Sequence, residues 1–183
     1  MDIMAIIRGL LAGFMGGGTQ TPIPAPTPSK TDPAPSQAVP GIDWAKFKEL
    51  ATEQLGKDYV FGVEDDGNSN PTQFDCSELV QWLYAEIGIT VPDGSMNQFE
   101  ESDPVDEPKL GDVGFFRKPG MPTHHVGIIY DDMNVIEARG FQQSLENEGV
   151  KSNCVLLRPR YKWEAFSEFT GWRRLRAVKE IEG

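Results

Sequence analysis

The sequence predicts one folded domain of the α+β class, with helices at its start and an antiparallel sheet after them. Two amphipathic helical patterns lie between residues 43 and 88, and several short β-rich runs follow Pro92. Helices followed by several antiparallel strands are typical of α+β domains. At 183 residues, with 39% hydrophobic and 25% charged content, the chain is long enough for one compact core plus some unpacked sequence.

Residues 1–18 form an apolar N-terminal segment, MDIMAIIRGLLAGFMGGG, which Asp2 and Arg8 interrupt. The uninterrupted apolar run is too short to cross about 30 Å of hydrocarbon, so we expect no stable transmembrane span. No clear A-x-A cleavage site follows it. A poor signal peptide, an interfacial helix and a peptide that docks to a larger assembly all remain open.

Residues 19–40 contain seven prolines and almost no apolar residue that a core would bury. This composition predicts an extended, polyproline-rich linker. It is a tether if residues 1–18 bind something, and otherwise a disordered tail. We therefore expect the folded domain at residues 41–183.

The first helix is predicted to start after Asp43, a good N-cap residue, and to stop at Gly56. Apolar residues recur at helical spacing in Trp44, Phe47, Ala51 and Leu55. The second helix lies in FDCSELVQWLYAEIG, and its apolar face comprises Leu79, Val80, Leu83, Tyr84 and Ile87. Cys76 is expected at the start of this second helix.

Short β-rich runs separated by turn residues predict the sheet. They are VGFF at 113–116, VGIIY at 126–130, NVIEA at 134–138, VLLR at 155–158 and WRRLR at 172–176. The last two runs contain most of a cluster of basic residues, which comprises Arg158, Arg160, Arg173, Arg174 and Arg176. We expect this cluster to offset acidic faces within the fold.

Charge and cysteine content exclude some classes of protein. The 17 basic and 28 acidic residues give a net charge of -11, which opposes binding to nucleic acid or to an anionic membrane surface. Two cysteines cannot form a dense disulfide framework. A single bridge between Cys76 and Cys154 would consume a candidate nucleophile, so Cys154 is interpreted as a small buried hydrophobic residue without a role.

The candidate chemistry centres on Cys76 and a histidine. A thiol at a helix start lies where the helix dipole and free backbone amides favour an anion, which predicts a lowered pKa and a nucleophilic thiolate. His124 and His125 directly precede VGIIY, where a strand can direct an imidazole toward that helix start. With a third orienting group, this set suits acyl transfer. No second Cys/His cluster at ligand spacing is present, so no metal site is expected.

Four motifs, FDCSELV, PKLGDVGFF, HHVGIIY and NVIEARG, occur in this order and resemble the ordered motifs of NlpC-type cell-wall peptidases. The resemblance runs from about residue 43 to residue 176. It implies a reduced papain-like fold and hydrolysis of peptide bonds in peptidoglycan stem peptides, commonly the bond between D-glutamate and the diamino acid. It also implies that no metal or organic cofactor is needed.

Carried over position by position, the resemblance makes Cys76 the nucleophile, His125 the base and Glu137 the group that orients the imidazole. The family usually has histidine, asparagine or glutamine at this third position. A carboxylate is expected to favour the protonated imidazole and so to raise the pKa of His125 where burial permits. In the alternative interpretation, Glu137 points to solvent and another group orients His125.

Other residues match positions around the family's site. Tyr59 matches a tyrosine that lines it, and Asp75 and Ser77 flank the nucleophile and are expected to bind substrate. Gln98 and the turn at 111–112 match structural positions. The segment between Tyr59 and Cys76 is longer than usual, and its acidic residues at 64–66 are expected to rim the substrate groove.

The leading hypothesis is therefore a cysteine endopeptidase that cleaves peptidoglycan stem peptides. The same triad also serves amidases and acyltransferases. In a different class of function, the domain is a non-catalytic docking component of a larger assembly. An apolar segment on a proline-rich tether suits a lysin carried on a phage tail, and a secreted wall-remodelling enzyme is the alternative. Both hypotheses predict action at the bacterial cell wall. The secreted enzyme would be extracellular or periplasmic, and the lysin would be associated with a virion.

Overall fold

The computed structural model describes residues 41–64, 70–147 and 149–182. The apolar segment 1–18 and the linker 19–40 lie outside the described residues, as do Asp65 and Asp66 of the expected acidic rim. Their roles stay predictions.

The described part of the chain contains six helices and eight strands. The helices are α1 (Trp44–Glu53), α2 (Cys76–Glu86), α3 (Ser95–Glu100), α4 (Gln143–Asn147), α5 (Arg160–Glu164) and α6 (Arg176–Glu182). The strands are β1 (Asp58–Tyr59), β2 (Gln73–Phe74), β3 (Ser102–Pro104), β4 (Val113–Arg117), β5 (Thr123–Ile129), β6 (Asn134–Arg139), β7 (Cys154–Pro159) and β8 (Phe169–Leu175).

All eight strands form one sheet in the order β2-β1-β7-β6-β5-β4-β8-β3. The β1/β2 pair is parallel, and the other pairs are antiparallel. Strands β4 to β7 are consecutive both in the chain and in the sheet. The predicted α+β class, with helices before an antiparallel sheet, is confirmed.

Helix α1 begins as predicted but ends early. The Asp43 carboxylate accepts a hydrogen bond from the backbone N–H of Lys46 at 2.9 Å, as an N-cap does. The helix ends at Glu53, and Leu55 lies in the following turn with 38% of its surface exposed. The prediction that Leu55 belongs to the apolar helix face is therefore wrong, because the chain leaves the helix before Gly56.

Helix α2 begins at Cys76, as predicted, and seven more of its residues are buried with Cys76. They are Ser77, Glu78, Leu79, Val80, Trp82, Leu83 and Tyr84. Ile87, predicted on the apolar face, is the C-cap residue and still packs partly against the core.

Each predicted β-rich run forms part of a strand, with shifted ends. Strand β5 begins at Thr123, so both histidines lie inside the strand and not before it. The run at 172–176 ends one residue early, because Arg176 begins α6. The elements β1, β2, β3, α3, α4, α5 and α6 were not predicted.

The sheet carries a core on each face. The larger core contains residues of α1 and α2 together with Val113, Phe115, Val126 and Ile128. The smaller core contains Phe116, Ile129, Val135, Trp163 and Trp172. Successive side chains of a strand point to opposite faces, which explains why Val126 and Ile129 belong to different cores.

The basic cluster mostly pairs with acidic side chains, as expected. Arg174 forms a two-pronged contact with Asp112 at 2.8 Å, and Arg176 pairs with Glu101 and Asp103. Arg160 pairs with Glu164. Arg158 pairs with the buried carboxylate of Glu137.

Both cysteines are free thiols, so no bridge joins Cys76 to Cys154. Among the described residues, no helix is long and apolar enough to cross a membrane.

Candidate active site

Cys76 is the first residue of α2, and its thiol faces strand β5. The side chain is buried, with 8% of its surface exposed. Backbone amides of Val126, Ser77 and Cys76 itself stabilise its ionised form. Because Val126 directly follows His125, the thiol lies against the part of β5 that carries the imidazole.

The pKa of Cys76 moves in the direction opposite to the expectation for a helix start. Burial raises the pKa of the thiol to about 11, and the negative charge of Asp75 adds to this effect, while the three backbone amides oppose it. The prediction of a lowered pKa is therefore wrong for this structure, because desolvation and the adjacent carboxylate outweigh the helix terminus.

His125 lies buried on β5 between a carboxylate and two aromatic rings. Its Nε2 is 2.5 Å from Oε2 of Glu137. The centroids of the Phe116 and Trp163 rings are each 5.6 Å from the imidazole centroid. With Nε2 bonded to a carboxylate, a neutral imidazole carries its proton on Nε2 and leaves Nδ1 as the acceptor.

His124 is more exposed than His125 and lines the same open pocket. Its side chain is 45% exposed, and its Nε2 is 3.2 Å from Glu168. Strand β5 pairs His125 with Phe116 and Thr123 with Arg117, so a bulge at His124 interrupts the regular alternation of side chains.

Glu137 is fully buried on β6 and has three cationic or polar partners. Besides the contact with His125, its Oε2 accepts a hydrogen bond from Nη1 of Arg139 at 2.9 Å. Its Oε1 accepts one from Nη1 of Arg158 at 3.2 Å. The alternative in which Glu137 points to solvent is therefore wrong.

These partners decide the protonation of the buried pair. Burial opposes ionisation of Glu137, but the hydrogen bond from His125 and the charges of His125, Arg139 and Arg158 hold the pKa of the carboxyl well below its usual range. Burial lowers the pKa of His125 against the opposing pull of Glu137, and the charge of Arg139 lowers it further. The expected rise in the pKa of His125 is thus absent, because desolvation by burial outweighs the pull of the Glu137 carboxylate.

Asp75 and Ser77 serve the start of α2 in this structure. Oδ1 of Asp75 accepts hydrogen bonds from the N–H groups of Ser77 and Glu78 and from the Ser77 hydroxyl. Gln98, fully buried, donates to the carbonyl oxygen of Ser77 at 3.0 Å and to that of Pro92. Capping and bracing of α2 therefore account for these contacts, and substrate binding by Asp75 and Ser77 stays a prediction.

Tyr59 lies at the end of β1, close to Cys76. Burial, followed by the charges of Cys76 and Asp75, raises the pKa of its hydroxyl to about 12, so the hydroxyl is protonated at neutral pH. The Tyr59 ring packs against Gly140, where an added Cβ would lie 3.1 Å from Cε1 of the ring. A larger residue at position 140 would crowd the tyrosine.

An open pocket of about 280 Å³ lies beside Tyr59 and His125. Its lining includes Phe116, Arg139, Phe141, Gln142, Phe166 and Glu168. The pocket is therefore partly aromatic and has both charged and amide groups, a composition suited to an extended peptide that carries polar groups.

Sequence reasoning missed four residues that surround His125, namely Phe116, Arg139, Trp163 and, in this role, Arg158. A signal existed for Arg139, since it is two residues from Glu137 in NVIEAR and must share its strand face. Arg158 reaches Glu137 because β6 and β7 pair Glu137 with Leu156, two residues away. That register is not visible in the sequence.

Several known proteins are similar to this chain in sequence. The model of the NlpC/P60 family matches residues 56–158. A probable endopeptidase p60 of Listeria grayi is 30% identical over 108 residues, which are 56% of this chain and 20% of that protein. The bifunctional muramidase/DL-endopeptidase CwlT of Bacillus subtilis is 43% identical over 67 residues, 34% of this chain and 20% of that protein. The chain thus spans about a fifth of the length of these relatives.

Solved structures show the same fold. A Staphylococcus aureus protein of the NLP/P60 family, similar to a lipoprotein, superimposes with a TM-score of 0.56 at 24% identity, over 76% of this chain and 44% of that one. RipD of Mycobacterium tuberculosis, described as a non-catalytic NlpC/p60 domain protein adapted to peptidoglycan binding, gives 0.52 at 17% identity, over 71% and 94%. The fold is therefore the papain-like fold of these domains. Because the family model covers more than half of the sequence, the chain belongs to the NlpC/P60 family.

Proposed function

We propose that the protein is a cysteine endopeptidase that hydrolyses a peptide bond in peptidoglycan stem peptides. The observation that carries the proposal is the buried 2.5 Å contact between Nε2 of His125 on β5 and Oε2 of Glu137 on β6. The Cys76 thiol, at the start of α2, faces β5. Peptidase names among its relatives support the reaction class.

In the proposed reaction, Nδ1 of His125 accepts the thiol proton while Sγ of Cys76 bonds to the carbonyl carbon of the substrate. The carbonyl oxygen becomes an oxyanion, for which backbone N–H groups at the start of α2 are suitable donors. His125 then gives its proton to the leaving amine as the C–N bond breaks. A water molecule, deprotonated by His125, hydrolyses the thioester and restores the thiol.

Glu137 has the orienting role in this scheme. A fully buried, ionised carboxylate that accepts a hydrogen bond from Nε2–H fixes both the tautomer and the ring plane of His125. Nδ1 is then the nitrogen available to the thiol. Tyr59, Asp75 and Ser77 are the proposed substrate contacts, and the Tyr59 hydroxyl, protonated at neutral pH, supplies a hydrogen-bond donor.

We propose the bond between D-glutamate and the diamino acid as the one that is cleaved. The DL-endopeptidase name of the Bacillus subtilis relative supports it, over a match confined to 20% of that protein. Action at the bacterial cell wall follows from the proposed substrate. Docking to an assembly such as a phage tail, through residues 1–18, is a separate proposal that the described residues do not bear on.

The test is digestion of purified peptidoglycan sacculi, followed by mass spectrometry of the released fragments. The intact protein should release peptides cut after D-glutamate. Cys76→Ala should release none. The matched control Cys154→Ala should release as much as the intact protein, because the Cys154 thiol packs in a separate small core with Leu145 and Leu156, although its backbone pairs with Arg139.

Other products decide between the alternatives. Release of whole stem peptides, cut from the glycan, would show an amidase. Binding to sacculi without any product, on wall preparations of several chemotypes, would refute the endopeptidase and support a binding module.

A further inference from the structure

The hydrogen-bond network of Glu137 extends beyond the proposed triad to two buried arginines. We propose that Arg139 and Arg158 are positioning residues that fix Glu137 as an ionised acceptor and cancel its charge, so that the resting His125 is a neutral imidazole with Nδ1 open to the thiol. This inference rests on the proposed function for the part that concerns catalysis.

The geometry immobilises the carboxylate from both sides. Arg139 reaches Oε2 from the same strand at 2.9 Å, and Arg158 reaches Oε1 from β7 at 3.2 Å. Because both oxygens have a partner, the carboxylate cannot rotate without losing a hydrogen bond. The Oε2 that Arg139 holds is the same atom that contacts His125.

The guanidinium groups are themselves held by aromatic rings. Arg139 lies over Phe116 at 5.4 Å and over Phe166 at 5.7 Å, and Arg158 lies over Phe166 at 5.2 Å. Phe116 also packs against the imidazole of His125. The same rings therefore align the base and the groups that orient its carboxylate.

A purely structural purpose explains this cluster poorly. Burying ions is costly, and well-packed apolar residues often stabilise a core as much as a buried ion pair does. In the described part of the chain, Nε of Arg139 and Nε of Arg158 are buried without a hydrogen-bond partner, which adds to the cost. A role in orienting the Glu137 carboxylate and in offsetting its charge accounts for the presence of two buried arginines.

The charges around His125 favour its neutral form. One carboxylate, Glu137, faces two guanidinium groups, so the cluster carries a net positive charge before His125 is protonated. The other titratable groups near His125 are His124 on the same strand and Glu168, which lines the same pocket. The Cys76 thiol on α2 lies against Val126, the residue after His125, and Asp75 is its charged neighbour. The apolar rings of Phe116 and Trp163, from β4 and α5, exclude water and add no charge.

The first test is nuclear magnetic resonance of the intact protein with labelled histidine. The chain has two histidines, so only two imidazole signals need assignment. At neutral pH we expect His125 as the neutral tautomer with its proton on Nε2, and a titration midpoint below the ordinary value for histidine. An imidazolium, or a proton on Nδ1 with Nε2 bare, would overturn the proposal without any variant.

The second test uses Arg139→Met and Arg158→Met, with Arg174→Met as the matched control. Removing a positive charge should raise the His125 midpoint by about one pH unit and move the acidic limb of kcat/KM upward with it. Arg139→Lys keeps the charge and should restore the midpoint. Arg174 pairs with Asp112 next to the opposite end of β4 and should leave it unchanged. Folded methionine variants with the midpoint of the intact protein would overturn the proposal.

Sacculus digestion by the same preparations separates the two proposals. Peptide release by the intact protein, with His125 charged at neutral pH, would overturn the arginine roles and leave the peptidase standing. A neutral His125 that responds to both arginine variants, in a protein that releases nothing, would refute the peptidase and support the electrostatic role.

Discussion

Replacing Glu137 with glutamine removes one negative charge from the buried centre of the site and changes little else. Glutamine has nearly the same volume, so no cavity forms. Its amide oxygen can replace only one of the two carboxylate oxygens, while its NH₂ group would face the N–H donors at the other position. Two guanidinium groups, each more than nine-tenths buried, would then lack a counter-charge.

The expected cost is large, because removing one partner of a buried ion pair typically costs about 3–5 kcal/mol. With a urea m-value of about 2 kcal/mol per molar, this cost lowers the unfolding midpoint by roughly 2 M. The assay is urea unfolding at neutral pH, followed by far-ultraviolet circular dichroism.

The matched control is Asp112→Asn, at the other buried carboxylate paired with arginine. Burial raises the pKa of Asp112 in spite of Arg174. Arg174 is more exposed than Arg139 and Arg158, so water can partly replace its counter-charge, and the control should cost less than Glu137→Gln. An equal or larger loss in Asp112→Asn than in Glu137→Gln would refute this account of the charges.

The stability contributions of Glu137 and Asp112 also differ in the sign of their pH dependence, because the folded state lowers the pKa of Glu137 and raises that of Asp112. The folded-state pKa of Glu137 lies below its ordinary value of 4.5, so its contribution to stability is complete above that value and is lost as the pH falls through the folded pKa. The stability difference between the intact protein and Glu137→Gln should stay constant at neutral pH and shrink in acid. A constant difference down to acid unfolding would contradict the assignment.

Three further changes test neighbouring features. Asp75→Asn keeps the helix cap, since asparagine caps as well as aspartate, but it removes the charge that raises the pKa of Cys76. Alkylation of Cys76 by iodoacetamide should then begin at lower pH, and an unchanged pH profile of alkylation would exclude that charge effect. Gly127→Ala places a Cβ 2.6 Å from the Trp163 ring and should cost about 1–3 kcal/mol in unfolding experiments, whereas a neutral result would mean that the ring has room to move. Cys154→Ala should leave both the alkylation profile of Cys76 and peptide release unchanged, and a fall in either would give Cys154 a role.

Local patterns predicted the elements that carry the proposed triad. The start of α2 at Cys76 was predictable because Asp75 is a capping residue and the apolar residues after it have helical spacing. The strand with His125 was predictable from VGIIY, although it begins earlier, at Thr123. The two-residue strands β1 and β2 could not be predicted, because so short a segment has no periodicity and owes its structure to the neighbouring strands.

The sequence by itself thus determined the class of the fold and the helix start with its cysteine, since each depends on residues close together in the chain. The tertiary structure alone decided the electrostatics. Arg158 reaches Glu137 only through the register of β6 and β7, and the pKa values of Cys76 and His125 follow from burial. Desolvation and long-range pairing depend on which distant segments pack together, and a linear pattern carries little of that information.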